Sequence, residues 1–309
     1  MRQPSCSRRE LLRGGAAAAT AGLAGLAGCS AVESVVDGDP DVPEYATWLP
    51  APARVYEDDT DDDDLFYIAH ARRFDLLAPY LDAHGEAYAR QWLYQDGKAH
   101  PVVDVDPADA GLEVRPDDGL SMLETNMPDE AVIEAFRTPE SGEPLADPFE
   151  RLGEYEGYRL LTAPDSDWVV GIRDGVVIEA WATSPIDSLG DKRATVEAII
   201  DTKHGDGDRY TDVDETLAEV TRLLDGEMTV SAVPTIPESR RRAEGNPVSL
   251  VTARTNAETG NLTEALAFED VETAREFATD PAAERELPTN PTVSREGRFV
   301  TITGTDHLE

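Results

Sequence analysis

The segment Asp206-Gly207-Asp208-Arg209-Tyr210-Thr211-Asp212-Val213-Asp214 is the first candidate for chemistry, because clustered carboxylates can hold calcium. An EF-hand loop needs an oxygen ligand at its fifth position, glycine at its sixth and glutamate at its twelfth. Counted from Asp206, those positions hold Tyr210, Thr211 and Leu217, so the pattern fails. Asp212 and Asp214 read instead as carboxylates at a helix start, facing the positive end of its dipole. The run from Glu57 to Asp64 reads as a solvated loop with loosely held counterions. The histidines are His70, His84, His100, His204 and His307, with no HExxH and no pair four residues apart, so a zinc protease lacks its ligands. His70 closes an apolar strand pattern and is expected to be a buried, hydrogen-bonded imidazole. No GxSxG elbow and no GxGxxG or GxxxxGK phosphate loop occurs. A carboxylate pair for glycoside hydrolysis could be drawn almost anywhere among 63 acids, so that pattern carries no weight. Arg240-Arg241-Arg242 is the one basic run after the N-terminus and reads as a linker neutralised by nearby acids. The sequence therefore assigns no catalytic residue, no metal ligands and no cofactor.

Cysteine chemistry is bounded by count, since only Cys6 and Cys29 are present. Around them the chain is unlike its remainder. Residues 1–28 carry Arg2, Arg8, Arg9 and Arg13 against Glu10, a charge of +3, and an Ala/Gly-rich run from Gly14 to Ala27 follows. A positive region followed by a weakly apolar one marks a targeting segment, and this run is too short for the ~20 apolar residues a bilayer span needs. Ser7-Arg8-Arg9-Glu10-Leu11-Leu12 resembles a twin-arginine export signal. Leu26-Ala27-Gly28-Cys29 resembles a lipobox, which implies cleavage before Cys29 and a thioether lipid on its sulfur. On that reading residues 1–28 are a signal peptide and residues 29–44 a lipidated flexible tether. The mature chain then has no thiol for a disulfide, a nucleophile or an Fe–S cluster.

The rest of the chain is strongly acidic. Of 27 basic residues 24 are arginine, the lysines being Lys98, Lys192 and Lys203, and the formal net charge is −36. Removing residues 1–28 leaves 23 bases against 62 acids, or −39. Such a charge excludes bulk attraction to nucleic acid or to an anionic lipid surface. It would also strain the fold through self-repulsion at ordinary ionic strength. In molar salt the Debye length falls to about 3 Å and the repulsion fades. The scarcity of lysine, whose long apolar stem is disfavoured on such a surface, makes the composition similar to that of proteins from extremely halophilic archaea.

These features need elements to position them. Leu65–Ala69 reads as a strand, and Phe74, Leu77, Ala78 and Leu81 follow at helical spacing. Gly119–Glu124 reads as a strand, and Pro128-Asp129-Glu130 opens a helix burying Val132, Ile133 and Phe136. Trp168–Arg173, Asp174-Gly175 and Val176–Trp181 make a β-hairpin with a type I′ turn, with Tyr158–Thr162 beside it. One helix buries Val196, Ile199 and Ile200. The next carries Thr211-x-x-Asp214 as a capping box and buries Val213, Leu217, Val220 and Leu224. Met228–Val233 is a strand, Val248–Arg254 and Leu262–Phe268 form a hairpin, Val271, Ala274, Phe277 and Ala278 mark a helix, and Phe299–Thr303 closes the order. Short connections between neighbouring strands predict an α+β fold, antiparallel sheet with helices on one face. Pro139–Pro148 divides it into subdomains at 45–138 and 149–309, which read equally as one domain over 45–309.

The Leu49-Pro50-Ala51 opening and the Val169–Val177 hairpin resemble a group of exported bacterial domains of unknown function. That resemblance implies export and brings no catalytic residue. Two functional classes follow. One is a lipid-anchored surface protein that binds, held to the membrane through Cys29 and meeting an exterior protein partner. The other is an extracytoplasmic solute receptor or surface hydrolase. Trp48, Trp92, Trp168 and Trp181 separate them, by lining one cleft or packing into cores. Asn261-Leu262-Thr263 is an N-glycosylation sequon at the exposed end of the predicted hairpin. The composition carries its own test: the melting midpoint of the mature chain rises steeply with added KCl, and a flat response contradicts the halophilic assignment.

Overall fold

The Asp174-Gly175 turn shows how local chemistry sets the architecture. Both residues have positive φ, 50° and 78°, as a two-residue I′ turn requires. The turn aligns Arg173 with Val176 and carries the register outward to Trp168 opposite Trp181. In the computed structural model the described residues are 42–56, 66–78, 99–100, 103–117, 119–138, 148–163, 167–181, 191–224, 228–236, 246–256, 260–283 and 287–305. The strands are β1 Ala69–Arg73, β2 Ala110–Asp117, β3 Leu120–Thr125, β4 Glu150–Tyr155, β5 Tyr158–Ala163, β6 Trp168–Arg173, β7 Val176–Trp181, β8 Thr229–Val233, β9 Ser249–Asn256, β10 Asn261–Ala267, β11 Thr289–Glu296 and β12 Phe299–Thr305. The helices are α1 (described over 74–78), α2 Asp129–Arg137, α3 Lys192–His204, α4 Tyr210–Val213, α5 Glu215–Arg222 and α6 Val271–Thr279.

All twelve strands join one antiparallel sheet, in the order β11-β12-β10-β9-β8-β1-β2-β3-β7-β6-β5-β4. The fold is thus α+β, as the sequence predicts. The helices divide between both faces of the sheet, whereas the sequence pattern places them on one. The reason lies in strands that are apolar throughout. Leu160, Val169, Ile178 and Ala180 meet Val196, Ile199 and Ile200 of α3, in a core that also takes Leu217 and Val220 of α5 and Trp48 and Leu49. Their neighbours Leu161, Val170, Ile172 and Val177 point the other way and meet Val132, Ile133 and Phe136 of α2. Gly171 lets α3 approach closely, because a Cβ there would stand 3.1 Å from Val196 Cγ1. Further along that second face α6 lays Ala274 and Phe277 over Leu266, Val300 and Ile302.

Local signals explain most boundaries. The Asp191 carboxylate accepts from the N–H groups of Arg193 and Ala194 to open α3, and Gly205 at φ 82° closes it. Asp214 does not complete a box with Thr211. It is extended, and its carboxylate accepts from Leu217 N–H at 2.9 Å to start α5 and from Thr235 N–H at 2.8 Å. That break separates α4 from α5 and leaves Val213, expected in the core, 54% exposed. The first strand starts at Ala69, about where the apolar pattern ends, because its outer neighbours β2 and β8 pair with Ala69–Arg73.

Three strands go beyond those the sequence pattern predicts. Two of them, β4 and β11, are the sheet edges and expose or half-expose every side chain. Both are blunted: β4 by a bulge between Arg151 and Gly153, β11 by Pro291 and an irregularity between Thr289 and Thr292. The third, β2, alternates Leu112 and Val114 with Glu113 and Arg115.

The hairpin turn is clamped from two sides. Thr125 N–H donates to Gly175 O at 2.7 Å, and Gly175 N–H donates to Asp129 Oδ1 at 3.0 Å. A Cβ at Gly175 would lie 2.3 Å from Thr125 O, at a φ of +78°. Gly175→Ala therefore lowers unfolding free energy by about 1–3 kcal/mol, and more if Thr125 cannot retreat. Asp174→Asn, which tolerates the same φ, leaves the chemical unfolding midpoint nearly unchanged.

Candidate functional site

The four central strands differ from their flanks. On the first face they are apolar, with Ala69 and Ala71, Leu112 and Val114, Val230 and Ala232, and Val251 and Ala253 all buried. On the second face the same strands carry polar residues in two rows fixed by register. Arg115, His70, Ser231 and Thr252 stand side by side across β2, β1, β8 and β9. Glu113, Arg72, Thr229 and Arg254 form the parallel row. Here α2 and α6 cover apolar cores to either side, and a cavity of about 580 Å³ opens over the two rows. Phe66 and Ile68, which precede β1, add apolar side chains to its lining, Phe66 also packing against the first-face core.

The groove is built, not merely bare. Arg72 Nε donates to Glu113 Oε2 across the β1–β2 pair, with only 15% and 4% of the side chains exposed. The Arg72 guanidinium also lies 5.0 Å from the Phe74 ring centroid, where α1 begins. Thr229 is buried, and its Oγ1 has no hydrogen-bond partner among the described residues. His70, expected to be buried, is exposed on this polar face, because β1 begins one residue before it and turns its side chain away from the first-face core.

A second polar cluster is closed to solvent. Ser121 and Glu179 face each other across β3 and β7, and Ser121 Oγ donates to Glu179 Oε2 at 3.0 Å. His100 Nε2 lies 2.6 Å from the same oxygen, while His100 Nδ1 accepts from Val103 N–H at 3.0 Å. Those bonds place the imidazole proton on Nε2, donating to the carboxylate. Serine, histidine and glutamate thus meet, but not as a nucleophilic triad. The serine donates to the carboxylate and the only basic ring nitrogen is already occupied by a backbone amide. The cluster ties 99–100 and α2, through the Phe136 ring 6.0 Å from His100, to the sheet. The charge in Val176-Val177-Ile178-Glu179-Ala180-Trp181 was the available sequence signal for it.

The remaining candidates separate. Asn261 opens β10 with its side chain exposed, opposite Asn256 and Thr305. Trp48 packs in the first-face core beneath Lys203, whose Nζ is 4.3 Å from the ring centroid and donates to Thr47 Oγ1. Burial lowers the Lys203 ammonium from its ordinary value, against the pull of Glu124 and Glu44. Trp168 and Trp181 stack against each other across the hairpin, 5.6 Å between centroids, and neither lines the groove. Asp212 accepts from Arg209 N–H at the start of α4. Arg8, Arg9, Cys29, His84, Trp92, His307, the Glu57–Asp64 run and Arg240–Arg242 lie outside the described residues. Among the described residues no three His, Cys, Asp or Glu converge to hold a metal ion, and no helix is long and apolar enough to cross a membrane.

No protein-family model matches this chain, and no curated protein matches it. Among solved structures, that described as "Structure of crystal form III of TP0453" is similar with a TM-score of 0.41 and 7% sequence identity, over 82% of this chain and 91% of that one.

The buried cluster yields a stability test. His100→Ala leaves Glu179 buried with Ser121 as its remaining partner and costs about 3–5 kcal/mol of unfolding free energy. His100→Leu combined with Glu179→Leu recovers most of that loss in denaturant titrations, because no uncompensated charge is then buried.

Proposed function

We propose that this is an exported, lipid-anchored surface protein of an extreme halophile that acts by binding, with the polar groove at the centre of the sheet as its binding face. The groove carries the proposal. It is the place where the described residues leave a large concave surface lined by converging polar side chains. The anchor rests on the twin-arginine and lipobox patterns at Arg8, Arg9 and Cys29. From Cys29 to Val42, where the described residues begin, 13 residues reach at most about 45 Å. Assignment to brine is supported by the placement of lysine. Lys192 is 5% exposed and Lys203 is stacked on Trp48, so neither described lysine extends its stem into solvent.

A second reading, an extracytoplasmic solute receptor, is favoured by one observation. A volume of about 580 Å³ falls in the range of small-molecule sites rather than of flat protein–protein interfaces. The two readings share an address and differ in what the groove admits.

Cell fractionation tests the address. The native protein stays with membranes after a wash in molar salt, and Cys29→Ser moves to the soluble fraction. Retention of Cys29→Ser in the membrane overturns the lipid anchor. The intact mass of the native chain then shows a diacyl-thioether addition, together with a glycan if Asn261 is used.

A further inference from the structure

We propose that the groove binds a neutral polyhydroxyl ligand, a mono- or disaccharide, through the hydroxyl floor that β8 and β9 supply. This rests on the reading of the groove as the binding face and names the class of ligand. The charged side chains are the first argument, because they are already engaged. Arg72 and Glu113 hold each other across the β1–β2 pair, and both are largely buried. His70, Arg115 and Arg254 likewise have partners within the chain. An ionic ligand competes with those contacts and leaves a counterpart unpaired. A ligand without charge leaves them as they are.

Placement is the second argument. Ser231 on β8 stands directly opposite Thr252 on β9, and Thr229 lies two residues along β8 on the same face. Side chains so opposed start about 5 Å apart, much as hydroxyls on alternate carbons of a pyranose ring do. Ser231 and Thr252 are half-exposed, whereas Thr229 is 6% exposed and its Oγ1 has no hydrogen-bond partner among the described residues. Burying a lone hydroxyl is costly, and this one belongs to a residue that lines the cavity. A step between staggered χ1 rotamers offers it to a ligand hydroxyl seated on the floor. Ile68, 41% exposed beside the same floor, suits the C–H face of a sugar ring. A volume of about 580 Å³ accommodates one or two such rings.

Screening is the third argument. In molar salt the attraction between charges fades within about 3 Å. A hydrogen bond between neutral hydroxyls carries no net charge to screen. A hydroxyl floor therefore keeps its affinity across the salt range that the composition suits.

Titration calorimetry on the mature chain tests this, with maltose, lactose and trehalose as probes and glucuronate as the anionic control. At least one disaccharide binds saturably at one site in about 2 M KCl, and its affinity changes less than about twofold between about 1 and 3 M. Ser231→Ala and Thr252→Val each weaken that sugar about tenfold and leave the melting midpoint in place. Thr229→Val weakens it as well, while the free chain melts no lower, because a buried hydroxyl without a partner has gone. Sugar binding that ignores all three substitutions overturns the proposal by placing the ligand elsewhere. Glucuronate at least about tenfold tighter than every disaccharide, and lost in a groove-filling Ser231→Trp variant, overturns the neutral ligand while the groove stays a binding face. Absence of saturable heat from all four compounds overturns both the sugar and the solute-receptor reading.

Discussion

The sheet is continuous only through β1. Ala71 pairs on one side with Val114 and on the other with Val230, so a five-residue strand joins two elements whose paired residues are 116 positions apart in the chain. Without it, β2 to β7 and β8 to β12 would be separate sheets, each with a raw inner edge. Ala69 and Ala71 are small where they face the first core, which they share with Trp48, Tyr67 and Tyr210. His70 and Arg72 are polar where they face the groove. Phe74 follows directly and starts α1 in the second core. One short segment therefore welds the sheet, accommodates the aromatic cover of one face and supplies one residue to each row of the groove floor on the other. Its β8 partner is synthesised late, so the centre of the sheet cannot close until most of the chain exists.

Legibility in the sequence followed burial. Where a strand or helix buries a stripe, the stripe is visible: Val132, Ile133 and Phe136 on α2, Val196, Ile199 and Ile200 on α3, the two strands around Asp174-Gly175. Where a strand buries little, nothing marks it. Both edges, β4 and β11, are held by backbone pairing on one side and carry polar side chains like those of a loop. β1 was displaced for a related reason: its own residues, Ala-His-Ala-Arg-Arg, are less apolar than the segment before it. Short connections between neighbouring strands point to helices on one face, but runs such as Val169–Ile172 are buried on both sides and take helices on both.

The groove was illegible for a different reason. Arg72, Arg115 and Arg254 lie in three strands far apart in the chain, so no window of sequence holds two of them. Only the register brings them to one face. The Arg240–Arg242 run, conspicuous in the sequence, lies outside the described residues, whereas the structural basic cluster has no two members adjacent. In a chain of −36, local charge density in sequence is a poor guide to local charge in space.

The blunted edges acquire meaning once the chain is placed on a surface. On the proposed anchoring, molecules held by a short tether would share a thin layer, where their mutual concentration would far exceed that in the surrounding medium. Concentrated salt also strengthens apolar association, and an open sheet of twelve strands offers two templates for lateral growth. The bulge after Arg151 and the proline at 291 keep neighbours from annealing edge to edge. Such a layer can be crowded and still remain a population of individuals.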